Sequence, residues 1–269
     1  MRTPLMILAR SVCFWLEKLG SVATEWEDAA AYHDGDPAAG VAPRYVVVDG
    51  ATEAYDAIRW VEHLAGSFVA DTGPDLTPTG LRTWFEQVQR LWAAEAPARF
   101  ATVIEEHKFH AEGSFATFLG CRLTGLDGPH ARWEAAALGD TVLFHVRAGR
   151  LLLHFPPIGV DGFGLSPDGI GTRPAALGPM LRGLELASGE VRAGDVLFIA
   201  TDALAHWLLL EAARDEASLW AALAGLDHDA AFAAIVADQR AAGRMHNDDV
   251  TLLRVRLVTA EPGALVVSL

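Results

Sequence analysis

The chain has 269 residues, of which 51% are hydrophobic, a composition that folds rather than one that stays disordered. Against 21 Lys and Arg stand 35 Asp and Glu, and the formal charge of −14 disfavours nucleic acid and anionic lipid as partners while leaving carboxylates for cations. The two cysteines, Cys13 and Cys121, are too few for a disulfide framework. No run reaches the ~18 apolar residues of a membrane span, and no clean signal-peptide cleavage site precedes Glu25-Trp26-Glu27-Asp28. The expectation is a cytoplasmic chain with no membrane segment.

In chain order, the apolar mixture at 5–18 predicts a first strand, and Glu27 to Tyr32 a short second one that opens with acids. A Gly/Asp/Pro-rich turn at 33–43 leads to Arg44-Tyr45-Val46-Val47-Val48-Asp49-Gly50, a β-branched run suited to burial on both faces. Apolar residues then recur every three or four positions over 52–69 and again over 79–96, so each stretch is one face of a helix. A third helix is predicted over 98–110. Strands follow at 115–124, 133–138, 141–146 and 150–155, with connectors short enough to demand antiparallel neighbours. The Gly/Pro-dense stretch at about 156–190 predicts a long irregular segment. A strand at 195–201, helices at 203–224 and 228–242, and a strand at 250–258 complete the chain. In that last strand Leu253, Val255 and Leu257 alternate with Arg254 and Arg256, which predicts one wet face. No linker divides the sequence, and the expectation is a single α+β layered domain spanning 1–269.

Four aspartates fall at comparable strand boundaries: Asp28, Asp49, Asp202 and Asp248. Were their strands to share a sheet, the carboxylates would converge at one rim. Two unit charges about 4 Å apart repel by about 4 kcal/mol at an effective dielectric of 20. Divalent cations remove that conflict, and all-oxygen ligands favour Mg²⁺ or Mn²⁺. The plainer reading is a helix cap for Asp49 and Asp202 and a turn residue for Asp248, and Glu27 is the alternative to Asp28. His107 and His110 are read as a solvated helix face, and Trp84, Trp92, Trp207 and Trp220 as core. Ser11 and Ser114 have no evident His/Asp partnership, and Gly162-Phe163-Gly164 lacks the strand–helix context of a phosphate loop.

The order of short motifs resembles the metal-dependent protein phosphatases of the 2C type. Glu27-Asp28-Ala29 is similar to the family's first acidic motif, and Val48-Asp49-Gly50 to its Asp-Gly motif. Glu112 to Thr117 resembles its Gly-Ser-Thr-Ala strand start, and Ala137 to Thr141 its Gly-Asp-Ser hairpin turn. Gly194-Asp195 through Thr201-Asp202 and Asn247 to Thr251 resemble its last two motifs. The resemblance implies a four-layer α-β-β-α sandwich, two antiparallel sheets flanked by helices, with two Mg²⁺ or Mn²⁺ ions at one end activating water for attack on phosphorus. By this carry-over Asp49 bridges both ions and Gly50 gives its backbone carbonyl. Asp202 and Asp248 hold one ion, Asp28 acts through bound water, and Asp140 serves a weaker third ion.

The sequence departs from the pattern at Ala51, where eukaryotic members carry a His, and at Ala23, where the phosphate-binding Arg would stand. It departs again at Ala203, His206 and Asp249. Two functions follow from these features. One is hydrolysis of phosphoserine and phosphothreonine in protein substrates, with a cognate Ser/Thr kinase as a further partner. The other is a catalytically silent relative that binds a phosphoprotein or kinase. A phosphatase for small metabolites is a third.

Overall fold

The computed structural model describes residues 6–36, 39–51, 54–70, 73–95, 102–164 and 167–260. Strands β1 (Met6–Leu16), β2 (Asp28–His33) and β3 (Arg44–Gly50) precede helices α1 (Ala57–Val69), α2 (Pro78–Ala94) and the short α3 (Val103–His107). A meander follows: β4 (Phe115–Thr124), β5 (Arg132–Leu138), β6 (Val142–Arg147) and β7 (Arg150–Phe155). Beyond it come β8 (Ile170–Gly171), α4 (Leu177–Met180), β9 (Glu185–Glu190) and β10 (Val196–Ala200). The last elements are α5 (Asp202–Gly225), α6 (Asp229–Ala241) and β11 (Val250–Ala260). The predicted helix beginnings at Thr52 and at 98–101 lie outside the described residues.

The strands form two sheets, one ordered β1-β11-β10-β6-β7 and the other β2-β3-β4-β5-β9 with β8 on β4, and every pairing between named strands is antiparallel. Side-chain alternation explains the layering. Along β3, Tyr45 and Val47 enter the core between the sheets, while Val46 and Val48 pack under α1 and α2 with Trp60, Leu64, Trp84 and Trp92. In the other sheet Leu197, Ile199, Leu253 and Val255 face inward, and Phe198, Ala200 and Leu252 pack against Trp207 and Trp220 of α5 and Phe232 of α6. Each sheet is thus covered on both faces. The result is an α-β-β-α sandwich with four layers, as expected, and the four tryptophans named above are core.

Three expectations need correction. Arg254 of β11 does not face water: it is buried, and its Nη1 donates to the carbonyls of Leu223 at 2.9 Å, Ala224 at 3.1 Å and Leu226. A cation there neutralises the exposed carbonyls at the C-terminus of α5. The segment at 156–190 is less irregular than its composition suggests, because β9 pairs with β5 from Arg132↔Glu190 to Ala137↔Glu185. Gly189 permits that edge strand, since a Cβ there would lie 2.6 Å from Nε1 of Trp133. Finally, α5 is kinked at Asp215 (φ −149°, ψ 79°), whose carboxylate accepts the Ser218 amide at 3.2 Å and caps the second half.

Candidate functional site

The acidic strand ends do not share one sheet; they meet from two. Asp28 opens β2 and stands opposite Asp49 of β3 in the antiparallel register. Asp49 has the parity of Tyr45 and Val47, so it belongs to the inter-sheet face. Gly50 has the parity of the helix side, where a Cβ would lie 2.5 Å from the Glu27 carbonyl and 3.1 Å from Val61. Only glycine fits that approach. From the opposite sheet come Asp202, the first residue of α5, and Asp248, two residues before β11. Asp140 sits in the turn from β5 to β6, which Gly139 enters at φ +100°.

Threonine hydroxyls stitch the two sheets together at this end. Thr251 donates to Asp28 Oδ2 at 2.7 Å, and its own amide donates to Thr201 Oγ1 at 3.0 Å. Thr117 of β4 and Thr141 share a buried hydrogen bond of 2.7 Å. Asp249, buried, accepts the Lys18 amide at 2.8 Å and the Glu27 amide at 2.9 Å, so it fixes the chain entering Asp28. Arg240 of α6 donates to the carbonyls of Glu17, at 2.9 Å, and of Asp248. Sequence reasoning found the aspartates but not these supports. Thr251 and Asp249 lay inside a quoted motif, whereas Arg240 had no local signal because its partners are distant in the chain.

The electrostatics are those of crowded acids. Burial pushes the carboxyls of Asp28 and Asp49 well above the usual carboxylate range. The negative charge of Asp202 adds to this for both, and Asp28, Asp140 and Asp248 add to it for Asp49. Asp202 is raised by burial and by Asp248, with the Ala203 amide partly offsetting the rise. Asp140 is pushed up to about 7, mainly by burial, and both its carboxylate oxygens are buried without a hydrogen-bond partner. Among the described residues, no three His, Cys, Asp or Glu side chains are grouped closely enough to hold an ion as they stand. The donor set still fits a hard divalent cation: it is all oxygen, mutually repelling, and includes two orphaned buried acceptors.

The residues at the departures are also placed. Ala51 donates its amide to Phe115 O at 3.0 Å and offers only a methyl group. Ala23 lies exposed in a single 3₁₀ turn. His206 is one helical turn beyond Asp202, its ring 5.5 Å from that of His246. His107 and His110 are exposed. Ser11 donates to Asp34 at 2.5 Å, at the other end of β2 from Asp28. No helix among the described residues is long and apolar enough to cross a membrane.

No protein-family profile and no curated protein matches the chain by sequence. Solved structures match it over nearly its whole length. The photosystem II phosphatase PBCP superposes with a TM-score of 0.60 at 12% identity, covering 92% of this chain and 98% of that one. The catalytic domain of the serine threonine protein phosphatase PstP, in complex with 2 manganese ions, gives 0.57 at 18% identity over 94% and 99%. PppA, a key regulatory component of T6SS in Pseudomonas aeruginosa, gives 0.53 at 17% identity over 94% and 99%. At such identities the likeness concerns the path of the backbone. The chain has the fold of the 2C-type protein phosphatases, the family its ordered motifs resemble.

Proposed function

We propose that this chain is a metal-dependent phosphatase acting on phosphoserine and phosphothreonine in proteins, using two Mg²⁺ or Mn²⁺ ions at the acidic end of the sandwich. The observation that carries the reading is the meeting of Asp28 and Asp49 from one sheet with Asp202 and Asp248 from the other, together with the orphaned Asp140. In this reading Asp49 would serve both ions, Gly50 would contribute its carbonyl, and Asp202 and Asp248 would hold one ion. Asp28 would act through bound water, and Asp140 would serve a weaker third ion. The ions, when bound, activate water as the nucleophile and neutralise the charge of the transferring phosphoryl group.

The chain's own part is alignment. Asp28 is held by Thr251, and its approach is fixed by the two amides bound to Asp249. The Asp248 backbone is held by Arg240. Ala51 and Ala23 supply neither a proton nor a phosphate contact. A cognate Ser/Thr kinase is the natural partner of such an enzyme, and the cytoplasm its expected place. Calorimetric titration with Mn²⁺, run beside p-nitrophenyl phosphate hydrolysis, tests the reading. Metal binding with chelator-sensitive turnover supports it. The Ala51 and Ala23 departures favour a second reading, a silent phosphoprotein-binding relative; metal binding without turnover on any phosphopeptide would support that instead.

A further inference from the structure

Beside the aspartates lies a cavity of about 630 Å³, lined by His206, Trp207, Glu211 and Arg214 of α5 and by Arg244 and His246, among others. It begins where the acidic cluster ends: His206 is four residues after Asp202, and His246 is two before Asp248. In a chain of charge −14 its wall carries two guanidiniums against the single carboxylate of Glu211, which pairs with Arg214 at 3.5 Å. Arg244 is held in place. Its Nε donates to Gln239 Oε1 at 2.7 Å, and the same oxygen accepts Trp207 Nε1 at 3.2 Å. That bond engages one edge of the guanidinium, and its terminal nitrogens have no hydrogen-bond partner among those described. His206 Nδ1 is buried without a partner.

We propose that this cavity is a subsite for an anionic side chain of the phosphopeptide, the reading resting on the phosphatase function above. Along α5 the wall lies from about 6 Å beyond Asp202 at His206 to about 18 Å at Arg214, at 1.5 Å rise per residue. An extended peptide advances about 3.3–3.6 Å per residue. The subsite therefore takes a carboxylate or a second phosphate roughly two to five residues from the phosphorylated one. Trp207, Met245 and Leu210 give it an apolar floor, and the planar guanidinium of Arg244 suits either anion.

The test is a phosphopeptide series with Mn²⁺, each peptide having neutral, Glu, phosphoserine or Lys residues at those distances. It is run with the natural protein and with Arg214→Ala, Arg244→Ala and the double variant. Both arginines are exposed, so the variants fold. The expected result is a KM lower for acidic than for neutral peptides by on the order of two- to fivefold per arginine, with kcat unchanged. The double variant loses that preference and keeps p-nitrophenyl phosphate hydrolysis. Comparing the Glu and phosphoserine arms tells which anion is taken. Equal KM across the series, or a preference that survives in the double variant, overturns the subsite. Should no peptide turn over, fluorescence anisotropy of labelled peptides decides. Acidic-peptide binding weakened in the double variant upholds the subsite while the phosphatase reading falls; equal binding by all forms overturns the subsite as well.

Discussion

The Thr251 hydroxyl donates to the Asp28 carboxylate at 2.7 Å across a sequence separation of 223 residues. Thr251 is on β11 of one sheet and Asp28 on β2 of the other, so this bond fixes how the two sheets meet at the acidic end. Thr251→Val keeps the shape and removes the donor from a buried, charge-bearing partner. The expected cost is about 1.5–3 kcal/mol, read as a lower urea midpoint with an unchanged slope. A variant as stable as the natural protein would show that the sandwich end closes without this bond.

The clustered carboxylates should oppose folding when no cation is bound. Asp49→Asn and Asp202→Asn each remove one charge from a group whose neighbours raise it. In chelator at pH 7 each is expected to unfold at a higher urea concentration, by roughly 1–4 kcal/mol. Each should also lose most of the stabilisation that Mn²⁺ gives the natural protein. Opposite signs for the two measurements are the signature; destabilisation in chelator would show that the repulsion is already relieved within the fold.

Gly50 is tied to the site by space. A methyl group at Gly50 would press on the Glu27 carbonyl at 2.5 Å, a backbone atom that cannot yield without moving the residue next to Asp28. Gly50→Ala should cost about 1–3 kcal/mol by overpacking. It should also weaken Mn²⁺ binding measured by calorimetry. Unchanged stability and affinity would place the β3 end further from β2 than described.

At the other end of the sandwich, Asp195 accepts from His145 Nε2 at 2.9 Å, from Arg147 Nε and Nη2 at 2.7 Å each, and from the Arg192 amide at 2.8 Å. Burial alone would raise this carboxyl, but those donors hold it well below the usual range. A carboxyl depressed in the folded state contributes stability above its unfolded pKa near 3.8, and that contribution fades as pH falls below it. Asp195→Asn should cost roughly 3 kcal/mol at pH 7 and flatten the decline in thermal midpoint between about pH 4 and pH 2. An equally steep acid limb in the variant would assign acid unfolding to other carboxylates.

Much of this was legible locally. The run from Tyr45 to Val48 announces a strand covered on both faces, and its abrupt end in Asp49-Gly50 marks the candidate site. What the chain could not show is partnership at a distance. Convergence of Asp28 and Asp202 was legible only as a condition on shared sheets, because sheet membership depends on pairings such as β1 with β11 that join the two ends of the chain. Arg254 looks solvent-facing because alternation reports only that a face differs. It does not show that α5 lies over that face with its carbonyls needing a cation. The ELASGE strand β9 was hidden by its glycine and by being an edge, where one face is exposed and apolar alternation is weak. The kink at Asp215 lies in the polar run Arg214-Asp215-Glu216, which a solvent-facing stretch of continuous helix would carry equally well.

The reading stands or falls on whether the Asp28, Asp49, Asp202 and Asp248 cluster uses metal to release phosphate. Phosphate released from a phosphothreonine peptide should be measured with Mn²⁺, with chelator, and with Asp49→Ala in Mn²⁺. The expected result is steady release in the first and release reduced at least a hundredfold in the other two. Release that persists in chelator or in Asp49→Ala, or none from any phosphopeptide with Mn²⁺ bound, would contradict it.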